Sequence, residues 1–229
     1  QEIPFLAITN TFRSVAMLIL SEINNESDRM KRVVSKMIKS IAFIAFPLGF
    51  IMILLAEPIF YMFFKEKWLS SVPFFQALTL AGMISPFVYI FNELFIAKER
   101  SAYFLGVEIL KALLLIVLIV ILLPKGLMAL ATSWVLYILA TLLISVILSS
   151  KLVKYNLLNF LKDTVPYMLI ALISSSISYL TTKNINPPIL FITINILIIA
   201  TLYITTCKLL KLEMIKEIEV WFTKRRKNK

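Results

Sequence analysis

With 229 residues, 60% of them hydrophobic, and a mean hydropathy of +0.90, the chain is not an ordinary soluble domain. Its formal charge of +11 lies in the connectors between apolar blocks, where positive-inside bias places it, so nucleic acid is not an expected partner. There is no His, a single Cys (Cys207) and four isolated Gly, with no GxxxxGK[ST] or GxGxxG. That composition excludes an intrachain disulfide, a His- or Cys-based metal site, a His-dependent nucleophile and a phosphate-cradling loop. An enzyme is not expected, and no cofactor or metal is called for.

The apolar blocks are each about twenty residues long, the length that crosses a bilayer as a helix. The first, 3–20, is interrupted by Arg13. A guanidinium near the middle of a span costs about 2.5–3.5 kcal/mol on insertion scales, so it faces protein or water in preference to lipid. Thr9, Asn10, Arg13 and Ser14 cluster at helical spacing, and Ser21 continues the stripe, as a cavity-lining face would. The simpler readings are a side chain that snorkels to the nearer interface, or one that pairs with a carboxylate for assembly alone.

Residues 21–40 form a polar connector. Asn25 followed by Asp28 predicts a helix N-cap with an acidic first turn. Arg29, Lys31, Arg32, Lys36 and Lys39 then alternate with Met30, Val33, Val34, Met37 and Ile38, predicting a basic amphipathic helix on an anionic membrane surface.

Six further spans are predicted over 41–64, 72–97, 107–123, 127–147, 164–182 and 188–207, giving an all-α, polytopic bundle of about seven transmembrane helices. Pro47, Pro58 and Pro86 fall inside spans, where neighbouring helices can satisfy the carbonyls they free. Gln76, Thr79, Pro86, Tyr89 and Glu93 follow one helix face, with Asn92 beside it. This is a second candidate cavity lining, and its carboxylate could pair with a cation or carry a proton. Glu108 and Lys111 are spaced for an i,i+3 ion pair. Glu57 reads as a helix-end carboxylate, and Ser174–Ser176 and Ser178 as packing serines. Residues 208–229 form a basic amphipathic tail, with Leu210, Met214, Ile218 and Trp221 on one face and Lys224 to Lys227 at its end.

Connectors on one side carry nineteen Lys and Arg and those on the other carry four, which puts the C-terminus in the cytoplasm. Tyr61, Trp68 and Tyr179 fall where an outer aromatic belt is expected. The chain opens at Gln1 with neither an initiator Met nor a signal-peptide pattern, predicting the C-terminal part of a longer polypeptide.

The stretch Ile3-Pro4-Phe5-Leu6-Ala7-Ile8-Thr9-Asn10-Thr11-Phe12-Arg13-Ser14-Val15 is similar to the oligosaccharide flippases of the multidrug/oligosaccharidyl-lipid/polysaccharide exporter superfamily. So are Leu20-Ser21-Glu22-Ile23, Ala56-Glu57-Pro58, Lys67-Trp68 and Val72-Pro73. The resemblance implies two related six-helix bundles with two added C-terminal helices, the seven spans here being the eighth to fourteenth of fourteen. It also implies a bacterial inner-membrane protein that flips undecaprenyl-pyrophosphate-linked oligosaccharide by alternating access, with membrane lipids and the missing N-terminal half as partners. Arg13 would then contact the anion, with Thr9, Asn10, Asn92 and Glu93 as further substrate-binding candidates. An arginine suits the task because its fork donates two hydrogen bonds to phosphate oxygens. A multidrug exporter of the same superfamily is the first alternative. An integral-membrane polysaccharide polymerase or glycosyltransferase is the second, though it would call for a large outer loop.

Overall fold

The computed structural model describes residues 2–23, 26–98, 101–185, 187–217 and 219–220. Seven helices make up the bundle: α1 (Glu2–Glu22), α2 (Ser27–Phe64), α3 (Val72–Ala97), α4 (Ser101–Leu122), α5 (Leu127–Val153), α6 (Leu157–Thr182) and α7 (Pro188–Leu209). All seven are long and apolar enough to cross a membrane, and no strand occurs among the described residues. Short 3₁₀ turns over Glu66–Ser71 and Leu123–Lys125 join α2 to α3 and α4 to α5. The fold is that of a multi-pass, all-helical membrane protein.

The connector and the second span are one helix. In place of the separate surface helix expected over residues 21–40, α2 runs unbroken through 38 residues. At 1.5 Å per residue it is about 57 Å long, well beyond a hydrocarbon core of about 30 Å. The apolar face of its basic segment is not laid on lipid. Met30, Val34, Met37 and Ile38 are buried inside the bundle, continuous with Ile41, Ala42 and Ala45. Asp28 lies in the first turn as expected, whereas the expected cap Asn25 falls outside the described residues.

The core is centred on α3, which packs against α1, α2 and α5. Phe87, Phe91 and Phe95 are fully buried along one side of it. Phe87 and Phe91 interleave with Phe46 of α2, Phe160 of α6 and Tyr155, their ring centroids 5.5 to 6.2 Å apart. Close approach is built in by glycine. A Cβ on Gly49 would lie 1.9 Å from Sδ of Met83, and one on Gly82 would lie 2.7 Å from the ring of Phe5. The helices run through Pro47, Pro58, Pro86 and also Pro166.

Helices α6 and α7 join the rest of the bundle mainly through α2, with Phe160 of α6 reaching Phe87 and Phe91 of α3. These two helices hold each other through a buried amide. Ser178 Oγ donates to Oδ1 of Asn195 (2.5 Å), while the Asn195 amide donates to Thr182 Oγ1 (2.9 Å) and to the Phe191 carbonyl (2.8 Å). Ser178 is thus a packing serine. Helix α4 lies at the periphery, with Ile109, Leu113, Ile116, Val117 and Val120 exposed as a lipid-facing helix requires. Tyr61, Trp68 and Tyr179 are each about half exposed at the ends of their helices.

Candidate functional site

Arg13 is brought to α3. Its Nε donates to Oε1 of Glu93 at 2.5 Å, across the contact between α1 and α3. The two ends of the pair differ sharply in burial. The Glu93 side chain is 2% exposed and the Arg13 side chain 54%. One edge of the guanidinium is therefore pinned to a buried carboxylate. Its two terminal nitrogens form no ion pair or hydrogen bond among the described residues.

The remaining polar residues of α1 divide. Asn10, Ser14 and Ser21 are exposed with Arg13, whereas Thr9 is buried on the opposite flank and its hydroxyl donates to the Phe5 carbonyl (2.8 Å). Thr9 therefore does not share the open face that helical spacing predicted. The hydroxyls of Ser14 and Ser21 donate to carbonyls of their own helix, 2.9 Å in each case. That self-satisfaction lets a small hydroxyl face lipid or water at little cost. Asn10 and Arg13 are left as the groups on this face with polar atoms to offer.

Asn92, next to Glu93 on α3, turns to a different partner. Lys111 of α4 donates to Oδ1 of Asn92 (2.9 Å) and to Oε1 of Glu108 (2.8 Å). The expected Glu108–Lys111 pair is present, but Lys111 is only 3% exposed and belongs to the interior. By sequence it groups with a connector. Its burial follows from α4 starting at Ser101, which places it about three turns inside the helix.

Asn92, Glu108 and Lys111 line a cavity of about 220 Å³ between α1, α3, α4 and α5. Phe5, Leu6, Ser85, Tyr89, Trp134, Tyr137 and Thr141 complete much of its wall. Arg13 and Glu93 are not among its lining residues, so the polar groups fall into two centres that meet at the neighbouring positions Asn92 and Glu93. The rest of the predicted α3 line is spent internally. Gln76 donates to the Ile53 carbonyl (3.1 Å) and Thr79 to the Phe75 carbonyl (2.7 Å).

A third centre is not foreseen by the sequence. Asp163 has the look of a connector residue there, because apolar text resumes only at Thr164. The helix in fact starts at Leu157, capped by Asn156, whose side chain accepts from the Asn159 amide (3.0 Å). Asp163 is therefore inside α6 and buried. It accepts from Tyr155 OH (2.7 Å) and Ser35 Oγ (2.5 Å), with Lys39 Nζ 3.5 Å away. Burial, and then the charge of Asp163, push the Tyr155 phenol well above its ordinary value. Tyr155 is thus a fixed donor. The one available signal is Asn156, an N-cap residue one position before an apolar run.

Among the described residues no group of three or more His, Cys, Asp or Glu comes together to hold a metal. No curated protein sequence matches the chain. Residues 1–73 match a family described as "Polysaccharide biosynthesis protein". Among solved structures, "Lipid II flippase MurJ, inward closed conformation" is similar over 90% of this chain, with a TM-score of 0.66 and 19% identity. The chain spans 45% of the length of that flippase. Its opening residues are thus similar to polysaccharide biosynthesis proteins, and its fold is similar to part of a lipid II flippase.

Proposed function

We propose that this chain forms part of a transporter that flips undecaprenyl-pyrophosphate-linked oligosaccharide from the cytoplasmic to the outer face of the bacterial inner membrane, by alternating access. It would serve the making of lipopolysaccharide, capsule or exopolysaccharide. The observation that carries the reading is the Arg13 guanidinium, held at one edge by buried Glu93 and open at the other. A phosphate oxygen pair needs two parallel N–H donors, and the two terminal nitrogens of Arg13 supply them. Glu93 acts as the positioning residue that fixes the fork, and Asn10 adds an amide on the same face.

The similarity of residues 1–73 to polysaccharide biosynthesis proteins and the flippase-like fold support this reading. So does the charge imbalance of the connectors, which persists when buried Lys111 is left out of the count and favours a cytoplasmic C-terminus. With the chain spanning under half of the similar flippase, the face bearing Arg13 is read as turned towards a second bundle of the same protein. A drug exporter that captures organic cations would want an unpaired carboxylate in its cavity, and Glu93 is already neutralised.

The test is export in cells lacking the native protein. Arg13→Ala should abolish surface polysaccharide while the protein still inserts, and Arg13→Lys should restore part of it. Normal surface polysaccharide with Arg13→Ala would remove the guanidinium from the mechanism.

A further inference from the structure

The segment after α7 folds back on α2. Leu209–Lys211 turn the chain, with Lys211 at φ 52°, and residues 213–217 form one helical turn against the basic end of α2. Met214 and Ile215 are buried, 5% and 8% exposed. Three polar contacts tie the segment to α2. Lys36 pairs with Glu217 (2.7 Å), Lys39 pairs with Glu213, and Ser40 Oγ lies 2.9 Å from Sδ of Met214. The acids stand four residues apart and the lysines three, so the two pairs match in antiparallel register. The contact is a strap across the end of α2.

Two properties make the strap releasable. Its ion pairs are partly open to solvent: Lys36 and Glu217 are 56% and 37% exposed, and although Lys39 is 22% exposed and shared with Asp163, its partner Glu213 is 52% exposed. Pairs of that kind hold weakly, and salt weakens them further. The lysines also sit at headgroup depth. Ile41 opens the apolar run of α2, and Lys39 and Lys36 precede it by about 3 and 8 Å of helix rise. Exposed Arg32 lies one turn beyond Lys36 and makes no ion pair among the described residues. A juxtamembrane ridge of Arg32, Lys36 and Lys39 is the arrangement that attracts anionic lipid.

We infer that anionic phospholipid headgroups compete with Glu213 and Glu217 for Lys36 and Lys39, and that they release the 212–217 strap from α2. The device follows from the connectivity. Since α6 and α7 meet the bundle mainly along α2, a seated strap makes the ends of α2, α6 and α7 move as one body. Its release frees the chain that follows α7 from the end of α2, while α2 and α6 stay joined through their packing and the Ser35–Asp163 hydrogen bond.

The experiment uses the full-length protein with Ser40→Cys and Met214→Cys, which leaves both ion pairs intact. Native Cys207 is fully buried and stays in place. Disulfide formation is followed in vesicles of phosphatidylcholine, in vesicles of equal parts phosphatidylcholine and phosphatidylglycerol, and in phosphatidylcholine with added inorganic phosphate. Phosphatidylglycerol should slow the cross-link about fivefold, the ratio given by about 1 kcal/mol for a lysine at an anionic surface. Inorganic phosphate should not. Adding Lys36→Gln and Lys39→Gln should erase the difference between the two vesicles. Equal rates in both vesicles overturn the proposal, as does a lipid effect that survives the double Gln change or is reproduced by phosphate. Should the cysteine pair disturb folding, hydrogen exchange of residues 212–217 in the unmodified protein separates the same outcomes. Exchange is faster in phosphatidylglycerol if the proposal holds, and equal rates in the two vesicles overturn it. None of these readouts depends on transport, so they succeed or fail independently of the proposed flippase activity.

Discussion

Arg13 and Glu93, eighty residues apart in sequence, share one ion pair with unequal ends: a sealed carboxylate and an open guanidinium. This asymmetry separates assembly from substrate contact. Removing the guanidinium leaves a buried carboxylate without its partner, which costs up to about 3–5 kcal/mol where both charges are enclosed and less here. Arg13→Ala should therefore lower thermal stability in detergent. Adding Glu93→Gln, which removes the orphaned charge, should recover most of that loss. Export should stay absent in the double variant. Recovery of export along with stability would show that the pair serves packing alone.

Lys111 carries a second prediction. Its ammonium is enclosed and held by Asn92 and Glu108, and hydrogen bonds to charged groups contribute about 1.5–3 kcal/mol each. Lys111→Met keeps most of the length of the side chain and removes both bonds. It should reduce stability by about 2–3 kcal/mol. The loss is measured as a shift in the temperature at which the detergent-solubilised protein leaves its monodisperse peak. A shift no larger than that of an exposed control such as Lys183→Met would mean the network contributes nothing.

The Tyr155–Asp163 bond predicts both a mutational effect and a pH effect. Tyr155→Phe should cost about 1.5–3 kcal/mol, since a buried hydroxyl donating to a carboxylate is lost. The phenol is pushed up in the folded protein from an ordinary value of 10.0. Above that value the unfolded chain sheds the proton while the folded one keeps it. Stability is therefore fully present below pH 10 and falls as the pH rises beyond it. Unfolding followed across the alkaline range should show this decline in the wild type and a shallower one in Tyr155→Phe. Equal slopes would contradict the assignment.

Gly49 is a point of very close approach between α2 and α3. A methyl group there overlaps Sδ and Cγ of Met83, and Met83 is itself buried. Gly49→Ala should destabilise by about 1–3 kcal/mol, the usual cost of overpacking a filled core. Shortening the obstacle in Gly49→Ala with Met83→Ala should return part of the loss. If Gly49→Ala alone melts like the wild type, the helices are less tightly set than the structure indicates.

Much of the fold is legible in the sequence because bilayer-length apolar runs speak for themselves. The helices begin and end elsewhere because hydropathy marks the hydrocarbon, whereas backbone hydrogen bonding continues into water. For that reason α2 absorbs its basic connector and α6 reaches back to Leu157, enclosing Asp163. The site is legible in part. Arg13 and Glu93 each stand out as a charge in apolar text, but nothing in either helix says that one will find the other. Thr9 departs from its expected place because helical spacing groups polar residues on one face, whereas a threonine can satisfy its hydroxyl on its own helix and be buried. Residues Ile218, Trp221 and Lys224 to Lys227 of the tail lie outside the described residues, so half of its apolar face and its basic end are expectations from sequence.

The unbroken length of α2 has a mechanical consequence. A continuous member of about 57 Å, pivoting at its middle, moves each tip by about 2.5 Å for every 5° it leans. One tip carries Lys65, at the turn into α3; Lys36 and Lys39, which hold the strap, lie about 14 and 18 Å inside the other tip and move about half and a third as far. A lean begun on one side of the bilayer is therefore passed to the opposite side along one continuous helix, with Pro47 and Pro58 the points inside it where a bend can form.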